Sequence, residues 1–373
     1  MKDNTQDISK IFRLIKDDFA CYFTIVTLVT VVFLLSVAGN YQIAIVEAQS
    51  SNISSVSELI EEGNLLLNFE RYTEALSLYE KALQLDPKSA PALYNKALAL
   101  DYLGRYEEAI SWYDKALTIN PKHTDALYGK GLALKALGRH TESITWYDKA
   151  LEVDPNYTNA LYGKGTAFGI LGQHEEAIVW FDKALEVDPQ NVNALRAKGS
   201  TLALLGNFEE SIIWFDKALE VDPQNVNDLF YKGLSFSNLG RNEEAIIWFD
   251  KALAIEPKNV DALNEKGVTL KNLGRYEEAI VLFDKAISAE PKQIVALDYK
   301  AATLGLLGRY EEAITWFDKS LEVNPNSVET LNAKSAALFA LGKKQDALEF
   351  IERALVIDPI NQDSLDWKLE LQK

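Results

Sequence analysis

The chain has 373 residues, 48% of them hydrophobic, and a formal net charge of −17 with no basic patch. Nucleic acid is excluded as a partner, because holding a phosphate backbone needs clustered Lys and Arg that release counterions. One cysteine and three histidines leave no internal disulfide and no His or Cys set at metal-ligand spacing, so no metal centre and no cofactor are expected.

Residues 1–18 carry Lys2, Lys10, Arg13 and Lys16. An uncharged run then extends over residues 19–46, long enough to cross a bilayer. The next basic residue is Arg71, so the positive-inside bias predicts a cytoplasmic N-terminus and a single membrane helix with the rest of the chain outside. The rival reading is a signal peptide cleaved near Val46 and Ala48, which would leave a secreted protein. Cys21 lies within the apolar run and reads as a small apolar residue. Residues 47–55 form a short linker containing the acceptor triplet Asn52-Ile53-Ser54, and a second triplet, Asn156-Tyr157-Thr158, lies further on. Both asparagines are candidate glycosylation sites on an outward-facing surface.

From residue 56 onward one period governs the chain. Pro87, Pro121, Pro155, Pro189, Pro223, Pro257, Pro291, Pro325 and Pro359 stand 34 residues apart, and Gly104 begins a glycine series at the same interval that ends at Gly342. Each glycine lies midway between prolines, between two stretches with apolar residues three and four apart. The pattern predicts pairs of amphipathic helices, turned by the glycine and stopped by the proline.

A 34-residue helical hairpin closing on Pro resembles the tetratricopeptide repeat in its prokaryotic and archaeal form. The small residues of that family stand at Ala75, Ala109, Ser143 and Ala177 and again at Ala82, Ala116, Ala150 and Ala184, with the core aromatic at Tyr79, Tyr113, Tyr147 and Phe181. The series departs at Ile351, and Leu59, Leu93 and Leu127 stand where the family has a large aromatic. Nine repeats over residues 56–361 are expected, with a capping helix over 362–373 whose Leu365 and Leu369 point inward. The fold class is then all-α, an α-solenoid in which each hairpin needs the face of its neighbour.

Two further rows recur. Lysines from Lys96 to Lys334 accompany aspartates from Asp114 to Asp318 and read as an ion-pair ladder between helices. Trp112, Trp146, Trp180, Trp214, Trp248 and Trp316 read as packing in the seam between repeats, and His140 and His174 as aromatic substitutions before second helices.

No catalytic constellation interrupts the repeats, so the chain is expected not to be an enzyme. The resemblance implies a groove lined by first helices, in which the fifth place of each repeat touches a partner peptide. Here those places are Tyr94, Tyr128, Tyr162, Arg196, Phe230, Asn264 and Asp298, aromatic at first and then polar. Ile60, Asp125 and Gly129 stand where family members that hold an acidic tail have basic residues, so a neutral or basic peptide or helix is expected. The reading is a membrane-anchored protein-binding scaffold; the alternative is a non-catalytic accessory subunit of an enzyme complex such as a cell-surface glycan-modifying transferase.

Overall fold

Each 34-residue period folds as a first helix of 13 residues and a second of 14, as in Ala90–Tyr102 followed by Tyr106–Ile119. The computed structural model describes residues 55–372, in which there are nineteen helices and no strand. The uncharged run 19–46 and Asn52 lie outside the described residues. Among the described residues no helix is long and apolar enough to cross a membrane.

The glycine works as its spacing predicts. Gly104 adopts φ +71°, and the two amides that follow the first helix close it: Gly104 N–H donates to Asp101 O and Arg105 N–H to Leu100 O, both at 2.9 Å. Second helices begin without a side-chain cap, and glutamates such as Glu107 and Glu108 in their first turn face the positive helix end instead. First helices other than Thr158–Ile170 are capped by side chains: Ser89, Asn191, Asn225 and Ser327 each accept from the amide three residues on.

The described chain divides into two compact units, one ending at Arg139 and the other beginning at His140. In the first, five helices from Val56–Asn68 to Thr124–Ala136 bury Leu93, Ala97 and Leu100 together with Tyr79 and Tyr113, both fully enclosed. The Tyr79 hydroxyl donates to Asn64 Oδ1 at 2.7 Å. In the second, fourteen helices run from His140–Val153 to Gln362–Gln372, with Phe215, Phe249, Phe283 and Ile351 fully enclosed. Small residues make room for these rings. A Cβ added to Gly267 would lie 2.5 Å from Phe283 Cε1, inside van der Waals contact.

The lysine row joins consecutive repeats. Lys96 Nζ is 2.8 Å from Glu80 Oε1 of the preceding repeat and 4.0 Å from the ring centre of Trp112 in its own. Lys164 joins Asp148 and Trp180 in the same way, and Lys232 joins Asp216 and Trp248. The lysines are buried and the carboxylates about half exposed. The attraction to each ring contributes roughly 0.5–2 kcal/mol, and the half-solvated ion pair no more than about 1. The tryptophans thus pack in the seam, Trp180 and Trp214 against Leu161, Leu185 and Leu195.

The last helix, Gln362–Gln372, differs from expectation. Leu365 and Leu369 are 36% and 61% exposed, while Ser364 and Leu371 are fully buried and Trp367 packs against the cluster of Leu338 and Ile351. Leu365 stands where other first helices bury a leucine against their own second helix, and no second helix follows it among the described residues. Only the face toward the preceding repeat is covered.

Candidate protein-binding face

Four fifth-place residues, Tyr94, Arg196, Asn264 and Asp298, reach from their first helix toward the next. In the first unit Tyr94 is half-buried, its ring 4.7 Å from that of His123 and 6.1 Å from that of Tyr113, and burial pushes its hydroxyl up to about 12. Tyr128 is also half-buried. In the second unit Tyr162 lies 6.0 Å from Phe181, and Phe230 packs against Tyr231 and Phe249. Arg196 forks onto Asp228, Nε to Oδ1 at 2.7 Å and Nη2 to Oδ2 at 2.8 Å. Asn264 is 3% exposed and donates to Gln293 Oε1 at 3.1 Å, and Asp298 accepts from Thr330 Oγ1 at 2.9 Å. Arg196, Asn264 and Asp298 therefore join consecutive repeats. Asn156 is exposed at its turn, its amide donating to Asp154 Oδ1 at 3.0 Å.

The last turn of the first helices is more open. Tyr102, Ile170, Leu204 and Leu306 are 56–74% exposed at one place of four repeats. In the second unit the ends of Val192–Leu204 and Val226–Asn238 and the start of Phe208–Val221 enclose a cleft of about 400 Å³. Ala203, Leu204, Phe208, Tyr231 and Leu234 form its apolar walls, with Ser200 and Asn238 as polar members. Asn238 Nδ2 donates to Leu234 O, which leaves its Oδ1 to accept. The Tyr231 ring stands over Phe215, centroids 6.1 Å apart and nearly parallel. Such a cleft can hold an apolar side chain while an asparagine fixes the adjoining backbone.

Sequence reasoning missed Leu204, Phe208, Tyr231 and Leu234. The legible signal was Tyr231, standing where the repeats on either side carry Ala197 and Glu265.

The first unit offers different chemistry. Tyr72 and Tyr102 stack at 4.9 Å and 11°. Beside them Asp101 keeps Oδ1 buried without a hydrogen-bond partner, and burial pushes its carboxyl up to about 6. Burial also lowers Lys135. A carboxyl raised in the folded state contributes stability that is complete below its unfolded value, near 4, and is lost as pH rises through the folded value. Replacing Asp101 by Asn should therefore stabilise the chain at pH 7 by up to about 2 kcal/mol, discounted for partial solvation, and should change little at pH 4. Urea unfolding of both proteins at the two pH values checks this; an equal difference at both would refute it.

Comparison with known proteins agrees with this architecture. Tetratricopeptide repeat families match residues 60–123, 124–190 and 162–226, and the family described as anaphase-promoting complex, cyclosome, subunit 3 matches 204–286 and 272–354, so the matches run unbroken from 60 to 354. No curated protein matches the chain. A tetratricopeptide repeat protein from Parabacteroides merdae shares 21% identity over 66% of this chain and 98% of its own, with a TM-score of 0.53. PilW, a type IV pilus biogenesis factor, shares 22% over 56% of this chain and 97% of its own, at 0.52. The Cut9-Hcn1 hetero-tetramer structure of the anaphase-promoting complex shares 16% over 85% of this chain and 76% of that one, at 0.51. At these identities the structures show the fold alone. The unbroken matches and the glycine- and proline-bounded hairpins lead to one conclusion: the chain belongs to the tetratricopeptide repeat family, whose helical repeats are scaffolds for contact between proteins.

Proposed function

We propose that the chain is a non-catalytic scaffold that holds a partner peptide or helix through an apolar side chain seated between Leu204, Phe208, Tyr231 and Leu234. The carrying observation is the cleft itself, in which a 74% exposed leucine stands over an aromatic wall with an asparagine acceptor at its rim. The net charge of −17 favours a neutral or basic partner. The uncharged run 19–46 supports a membrane anchor with the repeats outside, which protease added to intact cells would test by digesting them.

Binding is tested with peptides selected on the full-length chain. Replacing Leu204 by Glu should weaken them at least about tenfold, the effect of losing one buried apolar contact of about 1.4 kcal/mol, with helicity unchanged because the side chain is exposed. Unchanged affinity would overturn the assignment of this cleft.

A further inference from the structure

The second helices of the second unit carry an apolar row outside the groove. Val179, Ile213, Ile247 and Val281 occupy the same place in four consecutive repeats and are 51–53% exposed. Outside those repeats that place holds Ser77, Ser111, Thr145, Thr315 and Glu349. Valine and isoleucine are weak helix formers, because their branched Cβ restricts the side chain against the preceding turn. On a solvated helix face they supply neither propensity nor solubility, so four in register mark a surface that is covered in use.

Charge identifies what covers it. Each row member stands three residues after a glutamate and four before a lysine: Glu176, Val179, Lys183; Glu210, Ile213, Lys217; Glu244, Ile247, Lys251; Glu278, Val281, Lys285. The lysines are exposed, and Lys183, Lys217 and Lys251 lie over Trp180, Trp214 and Trp248 at 3.6–3.9 Å. Glu244 and Glu278 are held by Arg241 and Arg275, whereas Gln173 and Asn207 replace that arginine beside Glu176 and Glu210. A glutamate, an apolar residue and a lysine spaced along one helix face form a pattern that becomes its own complement when the helix is reversed.

We propose that this face is an interface between two copies of the chain, related by a twofold axis along the apolar row. That axis turns each helix of the second copy antiparallel to its counterpart. The lysine end of one helix then meets the glutamate end of the other, with valine and isoleucine between them. A twofold axis across the row would instead set glutamates against glutamates. This surface is separate from the Leu204 cleft, so the two assignments stand or fall independently.

The test uses the full-length chain in detergent micelles with Cys21→Ser, which removes the one native thiol. Ile213→Cys and Ile247→Cys, introduced singly, should each give a disulfide-linked dimer on oxidation, since a twofold axis places equivalent residues opposite each other. Leu204→Cys on the groove side should give none. In the Ile247→Cys background, Glu176→Lys with Glu210→Lys should abolish the dimer, as should Lys183→Glu with Lys217→Glu, and all four changes together should restore at least half of it. Absence of the crosslink at the highest soluble concentration, capture of a different protein by the thiol of the Ile247→Cys variant, or a crosslink indifferent to both reversals would overturn the proposal.

Discussion

Arg196→Ala is expected to cost about 3–5 kcal/mol, at the lower end because the guanidinium keeps 27% of its surface in water. The loss arises from what it leaves behind. Asp228 is fully buried on the first helix of the following repeat, where Ala194 and Ala262 stand in the repeats on either side, and Arg196 supplies both of its charge-assisted hydrogen bonds from a side chain. Without the arginine, an enclosed carboxylate loses the countercharge that its burial depends on. Replacing Asp228 by Ala as well restores the small residue of the neighbouring repeats, so the double variant should recover most of the loss. Urea unfolding of the two single variants and the double variant closes the cycle; a double variant no more stable than Arg196→Ala would show that the ion pair is not the source.

The second large effect is at Gly129. A Cβ there would lie 2.6 Å from Cζ and 2.7 Å from the hydroxyl oxygen of Tyr113, a fully buried ring that cannot swing aside. Gly129→Ala should therefore destabilise the first unit by about 1–3 kcal/mol, although alanine is the better helix former. Tyr113→Phe should be neutral or slightly stabilising, because the enclosed hydroxyl has no hydrogen-bond partner. Combined with Gly129→Ala it should recover part of the loss, since the ring carbons still crowd the new methyl group. Thermal melts of the three variants check this, and a stabilised Gly129→Ala would show that the ring yields.

Gly129 also shows where reading the sequence stops. As a residue in a groove it looks like a missing basic contact; in the structure it is the space that the end of the Tyr113 side chain occupies, and Gly163 makes room for the ring of Tyr147. The repeat fold was legible because its punctuation is local: Gly104 must reach positive φ and Pro87 must end a helix, wherever their neighbours lie. The lysine ladder was legible as a pairing, but its burial under tryptophan depends on two repeats at once. The cap was misread at Leu365 and Leu369 because periodicity gives a face without saying which neighbour is there to cover it. The cleft escaped for the same reason: Leu204, Phe208 and Tyr231 come from three helices, and no one helix signals the gap between them.

The lysine joint has a consequence for how such a chain grows. The 34-residue repeat 158–191 contains Lys164, the cation that fits Asp148 behind it, and Asp182, the carboxylate that fits Lys198 ahead. Duplication of any such segment in the gene delivers a plug and a socket together, so a new copy meets compatible ends at once. Arg196 and Asp228 break that interchangeability. They act as a keyed coupling, fixing which two modules must remain adjacent, as Asp298 with Thr330 does further along.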